Sequence, residues 1–165
     1  MTIMKNKKGL IMGVANDRSI AWGIAKKLSD EGAELLFSYQ NEGFKKRLIP
    51  LMDSINSKKC YECDVSKDTN ESNSIEHLFK QIYEDSKTID FVVHALAYSD
   101  KEELKGKYVN CSRENFLNSL DVSAFSFTRV AKSSFPLMSY NGGSLLTLSY
   151  LGAERTTPNY NVMGV

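Results

Sequence analysis

Five short apolar runs, four of them followed by a segment of helical periodicity, constrain this chain more than any other feature. The runs occupy residues 8–14, apolar through Leu10-Ile-Met12, then 33–39, 59–63, 89–97 and 144–149. Between them, residues 19–31 repeat Ile20, Ile24 and Leu28, and Gly32 stands as a stop signal. Residues 42–55 gather Phe44, Leu48, Leu51, Met52 and Ile55 around a local disturbance at Pro50. Residues 74–83 carry Ile75, Leu78, Phe79 and Ile82. After an exposed connection over 98–111, residues 112–138 place Phe116, Leu120, Ala124, Phe127, Ala131 and Phe135 at helical spacing. A last helix is expected to begin at Pro158.

Alternation of this kind predicts an α/β fold: a doubly wound parallel sheet in a three-layer α/β/α sandwich. Right-handed crossovers favour the Rossmann-like strand order 3-2-1-4-5. The strand runs are apolar on both faces, as strands covered by helices on both sides must be. A length of 165 residues and a hydrophobic content of 42% fit a single domain over residues 1–165 with a real core. Ligands in such sheets bind at the carboxyl ends of the strands, where the strand order reverses. Those ends read Gly13-Val-Ala, Tyr39-Gln40, Asp64-Val65, Ala95-Leu96-Ala97 and Ser149-Tyr150, small and polar as a cofactor cleft requires.

The first strand runs into Gly13-Val-Ala-Asn-Asp-Arg-Ser19-Ile-Ala-Trp-Gly23 and then a helix. A strand, a small-residue loop and a helix start together bring free N–H groups and the positive end of a helix dipole to one place, which suits an anion. The spacing is longer than G-x-G-x-x-G, with Ser19 at the N-cap position. Net charge is only +1, which gives no argument for a nucleic-acid or membrane partner. No apolar run reaches the roughly 18 residues of a bilayer span, and the basic start precedes too short an apolar stretch for a signal segment. The reading is therefore of a cytoplasmic protein. Cys60-Tyr-Glu-Cys63 lacks a second ligand pair at metal spacing and reads as ordinary strand thiols, and His94 reads as a core histidine.

Asp64, after the third strand, can accept a hydrogen bond from an adenine amino group or cap its own turn, and spacing leaves both open. Gln40 ends the second strand where an acidic residue commonly grips a ribose diol and an arginine a 2′-phosphate. Neither charge stands at 39–41, which leans toward NAD over NADP. Tyr150 and Tyr160, ten residues apart, are two phenols able to face one pocket, or simply two amphipathic side chains in a loop.

Together the glycine loop, Ser38-Tyr-Gln40, Asp64-Val65, His94-Ala-Leu-Ala97, the stretch from Leu148 to Arg155 and Pro158-Asn-Tyr-Asn-Val-Met-Gly164 closely resemble the bacterial enoyl-(acyl-carrier-protein) reductases of the FabI type. These are a divergent branch of the short-chain dehydrogenase/reductases. The resemblance runs from about residue 8 to the end. It implies NADH contacts from Gly13, Ser19, Ile20, Gln40, Asp64, Val65 and Leu96, a substrate contact from Ser99, and catalytic tyrosines at Tyr150 and Tyr160. It implies reduction of a trans-2-enoyl thioester on acyl-carrier protein in fatty-acid elongation, and a homotetramer built on the apolar faces of the helices at 112–138 and from 158.

Two positions depart from the family pattern. Ala95 stands where the family often has serine, and the lysine of its Tyr-x6-Lys motif falls at position 167, beyond Val165. The reading is thus of a reductase shortened at the C-terminus, without the family's last strand, substrate loop and helices. Two other readings stay open: a short-chain dehydrogenase acting on a ketone or alcohol, and a nucleotide-binding fragment without turnover.

Overall fold

The computed structural model describes residues 2–138 and 142–165. Strands β1 (Lys8–Met12), β2 (Glu34–Tyr39), β3 (Lys59–Glu62), β4 (Phe91–His94) and β5 (Ser144–Thr147) form one parallel sheet in the order β3-β2-β1-β4-β5. This is the doubly wound order expected from the alternation. β1 lies at the centre, with Leu10 beside Leu36 on one side and Val92 on the other.

Strand parity divides the core into two layers, because successive side chains leave a strand on opposite faces. Leu10, Met12, Leu36 and Val92 face one way and pack with Ile75, Leu78, Phe79, Ile82 and Val130. Ile11, Leu35, Phe37, Phe91 and Val93 face the other way, onto Ala21, Trp22, Ala25, Leu48 and Met52. Each fully buried Leu, Ile or Phe of this kind contributes about 1.5–3 kcal/mol of transfer free energy. β5 is the thinly covered member of the sheet, with all four residues exposed.

Helix α1 (Ile20–Asp30) corrects the apolar stripe read from Ile20, Ile24 and Leu28. Ile20 is 69% exposed, and the face that meets the sheet is Ala21, Trp22 and Ala25, with Ile24 and Leu28 at its margin. Gly32 ends the helix at φ +91°, a conformation glycine adopts without strain. Helix α2 (Glu42–Ser54) starts on the Asn41 side chain, which accepts from the Gly43 and Phe44 amides, and it continues through exposed Pro50. Helix α3 (Ile75–Ser86) starts on Ser74, whose hydroxyl accepts from the His77 amide.

The region 112–138 is not one continuous helix. α4 (Arg113–Leu120) passes through a π-type turn at Asp121–Phe125 into α5 (Ser126–Ser134), and a 3-10 turn follows at Phe135–Leu137. The Ser126 hydroxyl donates to the Val122 carbonyl at 2.7 Å, diverting an acceptor from the regular ladder where the widened turn occurs. The sides turned inward are Asn115, Ser119, Ser126, Val130 and Ser134, whereas Phe125 and Phe135 are exposed. The helix expected from Pro158 starts three residues later, as α6 (Asn161–Gly164).

His94 is a satisfied core histidine. Because Ser126 Oγ spends its proton on Val122, it accepts from His94 Nε2 at 2.8 Å, and Thr147 Oγ1 donates to Nδ1 at 3.4 Å. The ring thereby ties β4 to β5 and α5, neutral and fully buried. Burial holds its pKa below the ordinary 6.5. The unfolded chain therefore binds a proton that the folded one refuses, so His94's contribution is complete above 6.5 and is lost as pH falls below it. Urea titrations from about pH 7 to pH 5 are expected to show this decline, and His94→Gln to flatten it, whatever that variant does to stability at neutral pH.

Candidate functional site

At the carboxyl end of β1 the chain lies close against the residue that follows β4. Gly13 has φ +98°, and a Cβ there would lie 2.0 Å from the Ala95 carbonyl oxygen. Just before it, the Ala95 amide donates to the Met12 carbonyl at 3.2 Å, carrying the β1–β4 ladder one step past the strands. The two chains then part, and a cleft opens between them.

Ser19 holds the loop that follows, though not as a helix cap. Its hydroxyl turns back and accepts from the Ala15 and Asn16 amides, both at 3.0 Å. No side chain caps the first turn of α1, and the Ile20 and Ala21 amides have no acceptor among the described residues. Open amides at the positive end of an eleven-residue helix are the donor set a phosphate needs.

A cavity of about 350 Å³ runs across the strand ends from this loop. Gly13, Gln40, Asp64, Val65 and Leu96 all line it, and Ser38, Phe44, Ala95, Asn118 and Val122 complete much of the wall. Ser19 and Ile20 are not part of this wall, although the Ser19 hydroxyl holds the amide of the wall residue Ala15. Asp64 caps its own turn, one of the two readings its spacing allowed. One carboxylate oxygen accepts from the Ser66 amide and hydroxyl, as a turn cap does, while the other accepts from Gln40 Nε2 at 3.3 Å. Burial opposes the charge on Asp64, but the Ser66 and Gln40 hydrogen bonds outweigh it and hold the carboxyl below the usual range. Lys45, near the end of β2, is paired with Glu42 and lies over the Tyr39 ring. Cys63, a free thiol on the same wall, is pushed up to about 12 by burial and by Asp64, and so stays protonated.

A second, more open groove adjoins the cavity at Ala97 and Tyr98 and brings Ser99, Tyr150 and Tyr160 together with Leu104 and Met163. The two phenol rings lie 5.2 Å apart. They are not equivalent: the Tyr150 hydroxyl donates to the Met163 carbonyl, whereas the Tyr160 hydroxyl has no hydrogen-bond partner among the described residues. Burial, and then the nearby Tyr160, raise the pKa of Tyr150 above the usual phenol value. Ser99 meets the side chain of buried Asn115 at 3.2 Å, and Asn115 also accepts from the Asp100 amide.

Sequence reasoning missed Asn115, Asn118, Val122 and Ser123. The Ser123 hydroxyl, delivered by the π-type turn, accepts from the Tyr98 amide and donates to the Tyr98 carbonyl, both at 3.1 Å. Only Asn115 left a trace in the sequence, in the Ser112-x-x-Asn115 spacing of a helix start, where the Ser112 hydroxyl accepts from the Asn115 amide.

Comparison with known proteins gives a consistent picture. Residues 13–165 match the family model described as enoyl-(acyl carrier protein) reductase. Over 163 residues the chain is 50% identical to an enoyl-acyl-carrier-protein reductase (NADH) of Rhizobium meliloti, covering 99% of this chain and 59% of that protein. It is 46% identical to a FabI reductase of Rickettsia typhi, covering 99% of this chain and 60% of that one. A reductase of Anaplasma phagocytophilum solved in complex with NAD superposes with a TM-score of 0.91 at 53% identity, covering 98% of this chain and 60% of that one. The chain thus spans about 60% of the length of these relatives.

The seam at Gly13 yields a direct test. Gly13→Ala adds a methyl group against the Ala95 carbonyl at a positive φ, and is expected to lower unfolding stability by about 1–3 kcal/mol in urea denaturation. An unchanged midpoint would mean that the two backbones separate freely.

Proposed function

The chain belongs to the enoyl-(acyl-carrier-protein) reductase family, and on that premise we propose that it binds NADH along the carboxyl ends of β1–β4 and reduces a trans-2-enoyl thioester on acyl-carrier protein. The reaction closes a round of fatty-acid elongation. The observation that carries this reading is the cavity itself, in which Gly13, Gln40, Asp64, Val65 and Leu96 converge from four strand ends.

The residues present fit the cofactor. Gly13, Ser19 and Ile20 serve the pyrophosphate at the start of α1, where open amides and the helix dipole favour it. Gln40 serves the adenosine ribose, and Asp64 and Val65 the adenine. Leu96 forms the wall nearer the tyrosines. Residues 39–41 are Tyr, Gln and Asn, which offer no cation to a 2′-phosphate, and this supports NADH over NADPH. When bound, NADH supplies a hydride for the β-carbon of the substrate.

The chain's own contribution is to stabilise the charge that then develops on the thioester oxygen. Tyr160, with its hydroxyl uncommitted, is the hydrogen-bond donor to that oxygen. Tyr150, held by the Met163 carbonyl, shapes the acyl pocket beside it or assists delivery of the proton that the α-carbon takes up to complete the reduction, and Ser99 lines the same groove. The outward apolar residues Leu117, Leu120, Phe125 and Phe135 support assembly into a homotetramer. No helix among the described residues is long and apolar enough to cross a membrane, which is in keeping with work in the cytoplasm.

Titration with NADH and NADPH is expected to show tighter binding of NADH. Assays with crotonyl and acetoacetyl thioesters are expected to show turnover of the enoyl substrate alone. In a chain that includes the motif lysine at position 167, Tyr160→Phe is expected to lower kcat about 10²–10³-fold with NADH affinity retained, since it removes one donor to the developing oxyanion. Unchanged enoyl reduction in that variant would refute the assignment of Tyr160.

A further inference from the structure

The connection between β3 and α3 is polar almost throughout, running Asp64-Val-Ser-Lys-Asp-Thr-Asn-Glu-Ser-Asn73, yet Asp64, Val65 and Ser66 form one wall of the cavity. A polar loop keeps its place only through bonds to something more rigid. Its two ends meet where the Asp64 amide donates to the Asn73 carbonyl at 2.8 Å. The segment between them is gripped from outside, by Arg129 of α5.

One guanidinium makes four bonds there. Nη1 donates to the Val65 carbonyl at 3.1 Å and Nη2 to the Lys67 carbonyl at 2.8 Å. On its other edge, Nε and Nη2 donate to the two carboxylate oxygens of Glu76, in the first turn of α3, at 3.3 and 2.8 Å. The Arg129 side chain is only 14% exposed, so this pair is far less screened than a surface ion pair. Burial works against the charge of Glu76, and Arg129 outweighs it, keeping the carboxyl below its usual range. A planar fork with five donors can hold two carbonyls and a carboxylate at once. A lysine ammonium in the same place cannot.

Arg129 does not itself line the cavity. We propose that it is a positioning residue for the adenosine end of the cofactor site, setting Asp64 and Val65 at the height from which they meet the base. This rests on the NADH reading above. It gives the helical region after Tyr98 two roles at the cleft, since Val122, seven residues before Arg129, lines the cavity directly.

The test measures affinity for NADH, AMP and reduced nicotinamide mononucleotide in the unsubstituted protein, in Arg129→Met and in Arg129→Lys. Arg129→Lys keeps the charge and serves if the methionine variant fails to fold. Amide hydrogen exchange at residues 64–67 is followed in the ligand-free proteins. Both variants are expected to lose about tenfold in affinity for NADH and AMP, to bind the mononucleotide within about twofold of the unsubstituted protein, and to exchange faster at 64–67. Folded variants that keep their AMP affinity would overturn the inference while leaving the NADH reading intact. Parallel loss of AMP and mononucleotide affinity would also overturn it, by showing a general structural effect. If the unsubstituted protein binds neither NADH nor AMP, the NADH reading falls and the inference goes with it.

Discussion

The depth of the cleft depends on how closely two backbones meet at Gly13 and Ala95. β1 is paired on both sides, with β2 and with β4, and the ladder to β4 continues one residue beyond the strands before the chains part. The connection from β1 goes to α1 on one face of the sheet, while the connection after β4 leads toward α4 on the other. The opening between them is a consequence of topology, and its floor is set by the absence of a side chain at position 13. Gln40 and Asp64, from two neighbouring strand ends, then close one side with a hydrogen bond to each other.

The sheet was legible in the sequence because a parallel strand covered on both faces leaves an apolar run that loops rarely imitate. Leu10-Ile11-Met12 shows this well: the same three residues feed both layers of the core. The helices were legible in position but less so in orientation. Ile20 belongs to the spacing of an amphipathic stripe, yet in the first turn of α1 it stands exposed, and small Ala21 and Ala25 take the packing positions beside Trp22. Close helix–sheet packing favoured small residues here over large ones.

The region 112–138 was harder to read for a related reason. Its inward face is Asn115, Ser119, Ser126, Val130 and Ser134, and much of it is held by hydrogen bonds rather than by apolar contact. Apolar periodicity carries no information about such a face, so neither the π-type turn nor the residues it delivers could be anticipated. Ser123 at Tyr98, and Arg129 at Val65 and Lys67, are side-chain bonds to backbone across 25 residues and more than 60 residues respectively. Their targets are backbone carbonyls and amides, which every residue type but proline presents alike. Nothing in the identities of Tyr98, Val65 or Lys67 marks them as held. The glycine loop, Gln40 and Asp64 were recognisable because their chemistry is written in their own side chains.

The central place of β1 also orders events in time. Gly9 pairs with Phe91, more than eighty residues further along the chain, whereas its partner on the other side, Leu35, is only twenty-six away. During synthesis, β1, β2 and β3 can align as soon as each emerges, and they carry the glycine loop, Gln40 and Asp64 with them. Until Phe91–His94 have been made, that half-sheet leaves one side of β1 with no strand beside it. The cofactor cleft thus cannot form before the fourth strand does, however early the glycine loop, Gln40 and Asp64 are in place.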